Sequence, residues 1–334
     1  MTLGGGGTDL PSYYREHGGF IFAMGLDKYM YVLVNEPQVG HKIRLHYSQG
    51  ELVDHVSELR HELAREALRL HGIENRFEIA SIADLPAGTG LGSSSCYLVG
   101  LLNALHHYRR DYISLQDLAE EACHLELEVL KQPIGKQDQY MASYGGLSVL
   151  DIAPDGSVKV RQVPMSTSSI ADLVANTHIY YTGTERDAKE VLADQNQAMQ
   201  QRASSDHRKV ADSLHAIKDL GHRILEAIEA GNFDTWGLLL NEHWVQKKRM
   251  SDKISLGAVD RIYEEVRRDY HVLGGKIIGA GGGGFLMLYC HRNHQALERF
   301  MEERGMARLH YTIELEGTKV ITQAGRGFHL GGGR

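Results

Sequence analysis

The chain has 334 residues, a formal net charge of −7 and a charged fraction of 24%, with an isoelectric point near 6.2. That balance argues against nucleic acid or an anionic membrane as the main partner, and no apolar run approaches the roughly 20 residues that span a bilayer. Three cysteines without paired spacing argue against a disulfide framework or a zinc site, and a reducing cytoplasm fits best. The first residues carry no basic stretch followed by an apolar core, so no signal peptide is expected. The length accommodates two domains with well-formed cores. No His-Glu-x-x-His pattern occurs, since Arg65 stands where the second histidine would follow His61-Glu62; His55, His61, His215 and His222 lie in charged helical faces and are expected at the surface.

In chain order, Gly4-Gly5-Gly6-Gly7-Thr8-Asp9 comes almost at once, with no strand expected before it. Residues 19–26 and 29–35 are apolar and aromatic and read as paired strands, and 43–48 continues the sheet. Residues 54–71 place Val56, Leu59, Leu63, Ala67, Leu68 and Leu70 at helical spacing. A strand at 77–82 leads into a glycine–serine loop at 86–95 and a helix at 93–108. Ser114 resembles the start of a capping box for a helix running to about Leu130. Of its acids Glu120, Glu121, Glu126 and Glu128, any on a buried side is a candidate metal ligand, the rest a solvated face. A loop at 132–140 and a hairpin at 147–152 and 158–163 precede a polar stretch at 164–169, where a boundary divides the chain into domains 1–165 and 166–334. The second half reads as a strand at 178–182, helices at 188–202, 208–230, 233–250 and 259–269, and strands at 274–280 and 285–290 around Gly281-Gly282-Gly283-Gly284. A helix at 295–304, strands at 308–315 and 319–323, and a mobile tail at 331–334 complete it.

The stretch Pro86-Ala87-Gly88-Thr89-Gly90-Leu91-Gly92-Ser93-Ser94-Ser95 sits between strand and helix, an arrangement that binds anions. Its glycines let the backbone approach a ligand and take positive φ. The first turn of the helix offers unpaired N–H groups and the positive end of the macrodipole. The serines add hydroxyls for phosphate oxygens or a metal ion. No Gly-Lys-Ser/Thr follows, so this is not a Walker loop, and phosphate charge must be met by a metal and by residues elsewhere. A linker with a serine helix cap is the alternative. Thr8 and Asp9 supply a hydroxyl and a carboxylate suited to a polyol. The tight cluster Lys136-Gln137-Asp138-Gln139 is unlike a turn built for solvent, although Asp138 could simply pair with Lys136. The 281–284 turn could be only a tight hairpin.

In this order and spacing the glycine loops resemble the three motifs of the GHMP small-molecule kinases, which include galactokinase, homoserine kinase and mevalonate kinase. The family's middle motif, Pro-x-x-x-Gly-Leu-Gly-Ser-Ser, is matched throughout by residues 86–94, and the glycine-rich third motif by Lys276-Ile277-Ile278-Gly279-Ala280-Gly281-Gly282-Gly283-Gly284-Phe285. Gly5-Gly6-Gly7-Thr8-Asp9 and Gly135-Lys136-Gln137-Asp138-Gln139 look like the bacterial D-glycero-D-manno-heptose 7-phosphate kinases, though fucokinases carry related segments.

The resemblance implies an α+β, two-domain GHMP kinase fold, with a ribosomal-protein-S5-like N-terminal α/β domain and a ferredoxin-like C-terminal α+β domain. It implies ATP and Mg²⁺ as cofactors. ATP would be held by Pro86, Gly88, Gly90, Leu91, Gly92, Ser93, Ser94 and Ser95, and Mg²⁺ by Ser94 and Glu126, with Glu128 as the competing position. Asp138 would be the base or orienting acceptor for the attacking hydroxyl. Gly7, Thr8, Asp9, Gly281, Gly282, Gly283 and Arg186 would contact substrate. A basic pocket for the substrate's own phosphate would draw on Arg186, Lys189, Lys247, Lys248 and Arg249. The implied reaction phosphorylates the anomeric C1 hydroxyl of the heptose 7-phosphate, giving the 1,7-bisphosphate for lipopolysaccharide or capsule synthesis. A fucose- or galactose-type sugar 1-kinase, and a non-catalytic sugar or nucleotide sensor, are the alternatives. The expected partner is a small sugar phosphate, with no nucleic acid and no membrane; oligomeric state stays open, a homodimer among the options. The resemblance departs at its start. Family members normally begin with a strand carrying Pro-Leu-Arg, whereas only Met1-Thr2-Leu3 precede Gly4, so that strand is expected to be missing and its neighbour's edge unpaired.

Overall fold

The structure, a computed structural model, describes residues 1–86, 88–184, 188–200 and 204–323. Contrary to expectation, the chain opens on a strand. β1 (Thr2–Gly4) pairs antiparallel with β2 (Gly19–Met24), Thr2 opposite Ala23 and Gly4 opposite Phe22, so this edge of β2 is paired. Three residues suffice because Leu3 is fully buried and the Met1 amino group donates to the Met24 carbonyl at 2.7 Å. Between the two strands, Pro11 starts an unforeseen helix, α1 (Pro11–His17).

β2 does not pair with β3 (Met30–Asn35), as apolar content alone suggested. β2 instead runs antiparallel to β7 (Leu147–Ile152), which pairs with β8 (Val158–Gln162), giving a sheet of order β1-β2-β7-β8. β3 belongs to a second sheet, β3-β6-β4-β5, with β4 (Ile43–His46), β5 (Gly50–Val53) and β6 (Glu78–Ala83). Within it β4 and β6 are parallel, because a crossover segment separates them. That segment is not one helix over 54–71 but a 3₁₀ turn (Val56–Glu58) followed by α2 (Glu62–Leu70). His55 and His61 supply the ring nitrogens that cap these two turns, so His61 is half-buried rather than a solvated surface group.

α3 (Ser93–Arg109) buries Leu98, Val99, Leu101, Leu102 and Leu105 completely, as the central helix of the first half. α4 (Leu115–Cys123) begins at the Ser114 cap and winds on into a π-helical turn (His124–Val129) before α5 (Gln137–Tyr144). The polar stretch at 164–169, read as a domain boundary, contains Ser166, which caps another unforeseen helix, α6 (Thr167–Asn176).

The third sheet, β10-β11-β9-β12, joins β9 (Thr177–Tyr181), β10 (Val272–Ile277), β11 (Phe285–Cys290) and β12 (Arg308–Leu309). α7 (Ala188–Gln200), α8 (Ser205–Glu229), α9 (Phe233–Met250), α10 (Gly257–Asp269) and α11 (His294–Glu302) lie where the helical patterns placed them. The last two expected strands reduce to β12 and a single bridge between Ile313 and Leu26, and 319–323 forms no strand. The largest apolar cluster draws on both sides of residue 165, with Phe20, Phe22 and Val149 packed among Ile224, Trp236 and Phe285. No helix among the described residues is long and apolar enough to cross a membrane.

α9 lies unusually close to β10. A Cβ on Gly274 would stand 2.0 Å from the Gly237 carbonyl oxygen and 2.8 Å from the Asn241 nitrogen, both helix backbone. Gly274→Ala is therefore expected to lower stability by about 2 kcal/mol or more. Urea unfolding checks this; a change within about 0.5 kcal/mol would show that the contact has slack.

Candidate active site

Gly92 is the N-cap residue of α3 and adopts the left-handed region at φ 74°, where a side chain is strained. An added Cβ would also meet Asp138 Cγ at 3.0 Å. The Asp138 carboxylate therefore rests against the start of α3, next to the unpaired N–H groups of residues 93–95. Gln137 Nε2 donates to Asp138 Oδ1 at 3.0 Å, and Gln137 itself accepts from Thr2 Oγ1. Burial pushes the Asp138 carboxyl above its ordinary range, opposed by the chain's amino group and the Gln137 amide. The alternative partner is otherwise engaged, for Lys136 Nζ donates to both oxygens of Glu120 at 2.9 and 2.8 Å and to the Gly156 carbonyl at 2.7 Å.

The π-helical turn decides between the two glutamates. One extra residue in the turn directs Glu126 inward, to 0% exposure, and leaves the Glu128 side chain 62% exposed. Ser95 Oγ donates to Glu126 Oε2 at 2.8 Å and Gln139 Nε2 to the same oxygen at 2.5 Å. Ser94 Oγ lies 3.5 Å from Glu126 Oε1 and is exposed on its other side. Burial raises the Glu126 carboxyl above its usual range, its hydrogen bonds from Ser95 and Gln139 opposing. Ser95, expected on ATP, thus spends its hydroxyl on Glu126; only its N–H remains for a phosphate.

The third glycine loop braces the middle one. A Cβ on Gly279 would lie 2.6 Å from the Gly90 carbonyl oxygen, and one on Gly284 2.2 Å from that of Thr89. Gly281, Gly282 and Gly283 are buried rather than open to a substrate: Gly281 and Gly283 pack on the carbonyls of Ile254 and Thr184, and the Gly282 N–H donates to Ile254 at 2.8 Å. The first loop also departs from expectation. Thr8 is fully buried, its hydroxyl within 2.8 Å of the carbonyls of Gly5 and Phe20, which share its one hydrogen, and accepting the Phe20 N–H at 3.0 Å, so it fastens the loop to β2. Asp9 accepts from the N–H groups of Gly7 at 3.2 Å and Gln137 at 3.0 Å, which places it at the N-terminus of α5 beside Asp138. Burial pushes its carboxyl upward.

Of the basic candidates, Lys248 pairs with Asp260 at 3.0 Å and Arg249 bonds Gln246 at 3.3 Å. Arg186 and the side chain of Lys189 lie outside the described residues. Lys247 is buried, donates to the Gly279 carbonyl, and lies within electrostatic reach of Asp9. Sequence reading missed its neighbours Lys276, 2% exposed, and His243, fully buried with neither ring nitrogen partnered among the described residues. The available signal was spacing. His243 and Lys247 are one helical turn apart, and Lys276 shares the face of β10 that Gly274 turns to α9.

Beside Asp138 and Ser93 opens a cleft of about 180 Å³ walled by Leu26, Tyr29, Met30, Leu85, Leu91 and Met141. A glycine-braced helix N-terminus, the buried Glu126, the partly buried Asp138 and a largely apolar cleft make up the candidate active site. Residues 54–146 match the GHMP kinases N terminal domain and residues 224–305 the GHMP kinases C terminal domain. The chain belongs to the GHMP kinases, and it is a kinase that takes its phosphoryl group from ATP. It is 25% identical, over 96% of both chains, to the D-glycero-alpha-D-manno-heptose 7-phosphate kinase of Campylobacter jejuni subsp. jejuni serotype O:2. Its fold is similar to that of a D-glycero-D-manno-heptose 1-phosphate kinase from Bacteroides thetaiotaomicron, with TM-score 0.76, 20% identity and 96% and 97% of the two chains covered. It is also similar to the Lactococcus lactis galactokinase complexed with galactose, at TM-score 0.72, 18% identity and coverage of 95% and 92%.

Burial lowers the Lys247 ammonium from 10.5 to about 8, with Asp9 opposing. Between about pH 8 and 10.5 the unfolded chain holds this proton and the native chain does not, so Lys247 makes stability rise with pH in that window and weighs against the fold below it. The displacement corresponds to roughly 3 kcal/mol. Relative to Lys247→Met, the parent is expected to gain stability from pH 8 to 10.5, read by urea unfolding across that range. Parallel profiles would refute the buried charge.

Proposed function

We propose that this kinase phosphorylates the anomeric hydroxyl of a D-glycero-D-manno-heptose 7-phosphate, giving the 1,7-bisphosphate. The observation that carries the chemistry is the Asp138 carboxylate packed on Gly92 at the start of α3, with the Ser94 and Glu126 oxygens 3.5 Å apart alongside. In this reading the ATP phosphates lie at the N–H groups of residues 93–95 and the base lies in the apolar cleft. Asp138 holds the attacking hydroxyl in line and accepts its proton as the O–P bond forms. Ser94 and Glu126 would hold Mg²⁺, since cis ligands of an octahedral ion at about 2.1 Å stand about 3 Å apart; when bound, it neutralises phosphate charge. Gln137, held by Thr2, orients Asp138, and Asp9 faces the sugar.

The sugar's phosphate requires cations without carboxylate partners. Lys247 and Lys276 would supply that charge once an anion faces them, and the ring N–H of the unpartnered His243 would supply a donor. The full-length likeness to a heptose 7-phosphate kinase supports the same substrate class.

ADP release with heptose 7-phosphate, galactose, fucose and mevalonate tests the assignment, with kcat/KM for the heptose phosphate expected about 100-fold above the rest. Preference for an unphosphorylated sugar would overturn the substrate; ligand binding without ADP formation would indicate a sensor. Asp138→Asn is expected to reduce kcat by about 1,000-fold while ATP binding by calorimetry is retained; near-normal turnover refutes its role. Lys276→Met is expected to raise KM for the heptose phosphate about 10-fold or more and to leave KM for ATP unchanged. An equal change in both would remove Lys276 from the sugar side.

A further inference from the structure

At the other end of α3 from the active site, three side chains from three helices converge. His71 is the C-cap residue of α2, His106 lies in the last turn of α3 and Glu121 in α4. At 1.5 Å per residue, His106 stands about 20 Å along the helix from Ser93. Their side chains are 4%, 9% and 18% exposed. His106 Nε2 lies 2.7 Å from Glu121 Oε2, His71 Nε2 lies 3.6 Å from Glu121 Oε1, and the three ligand atoms fall within 4.8 Å of one another.

The tautomers follow from the partners. His106 Nδ1 stands 2.8 Å from the Asp111 carbonyl, which can only accept, so Nδ1 carries the hydrogen. In neutral His106 the Nε2 lone pair then faces a carboxylate oxygen at hydrogen-bond distance, two acceptors that need a cation or proton between them. A proton would satisfy His106 and Glu121 and still leave His71. Its Nε2 is buried without a hydrogen-bond partner among the described residues and points into the same space.

We propose that His71, His106 and Glu121 form a structural site for a zinc-class divalent cation, separate from the nucleotide site. Two imidazoles and a carboxylate are donors for zinc, cobalt or iron(II) rather than for Mg²⁺, which prefers oxygens. Tetrahedral donors at about 2.0–2.2 Å stand about 3.4 Å apart, so small ring rotations close the observed triangle. The Asp111 carbonyl on His106 is the outer partner that fixes a metal-bound imidazole. Water fills the fourth position. The ion ties the ends of α2, α3 and α4 together, where the adjacent Arg109 already donates to the His71 carbonyl at 2.7 Å.

The test uses the full chain, stripped with a chelator and titrated with ZnCl₂ by calorimetry, then with Co²⁺ by visible absorption. One equivalent of zinc per chain, a raised melting temperature and Co²⁺ bands of a four-coordinate nitrogen–oxygen site are expected, with Mg²⁺ failing to compete. Glu121→Gln keeps the side-chain shape and is expected to weaken zinc binding at least about 100-fold with the circular dichroism unchanged; His71→Ala should do the same. If His71→Ala does not fold, Glu121→Gln decides. No uptake would leave only a proton in the cluster and overturn the proposal. Uptake unaffected by either substitution would place the zinc on other histidines and overturn it as well.

Discussion

Two glycine loops touching backbone to backbone are the constraint on which the rest of this structure depends. Gly279 lies on the carbonyl of Gly90 and Gly284 on that of Thr89, at separations no side chain survives. The 86–95 loop has no lysine, and within it Thr89 Oγ1 donates to the Pro86 carbonyl at 3.0 Å. Its shape comes also from the other loop, which is itself held by Ile254, Thr184 and the ammonium of Lys247. The N-terminus of α3 is thereby presented at a fixed angle, and Asp138 can rest against Gly92 because nothing there projects toward it.

Charge follows from that geometry. Asp9, Glu126 and Asp138 are three carboxylates gathered around one helix start, each raised chiefly by burial, and the charge on Asp138 adds to the effect at the other two. Lys247 and Lys276 are the opposing buried amines, each pKa lowered by burial and that of Lys276 further by its neighbour. The two sets are not joined in ion pairs among the described residues. An arrangement of unpaired buried charges costs stability unless a ligand of complementary charge completes it. On the proposed reading, an anionic phosphate against the lysines and a cation against Glu126 and Ser94 would do so.

The glycine loops and the amphipathic helices were legible in the sequence because each is a local pattern with a local cause. What escaped it is set by distance along the chain. β2 and β3 are alike in composition, and only tertiary context sends one to β7 and the other to β6. The π-helical turn that separates Glu126 from Glu128 has no residue signature, although it decides which carboxylate enters the site. Thr8 and Gly281–Gly283 looked like ligand contacts because small polar and glycine-rich loops serve both ligands and backbones; here the backbones of β2, Ile254 and Thr184 take them. Lys276 was hidden inside a motif read only for its glycines.

The end of the described chain shows why neither half of this kinase is self-contained. After β12 the chain crosses to the first half, where the Glu314 carbonyl accepts the Gly146 N–H at 2.9 Å, the Glu314 N–H donates to Gly25 at 3.2 Å, and the Thr318 N–H donates to Ala142 at 2.8 Å. Tyr29 OH donates to the Glu314 carboxylate, and Glu314, Glu316 and Thr318 wall the same cleft as Leu85 and Asp138. A boundary drawn at 165 by polarity alone would therefore cut through both the main core and the cleft. The cleft is walled by residues from both ends of the chain, Met1 to Gly145 and Glu314 to Thr318, so its shape depends on the last described segment docking on the first half.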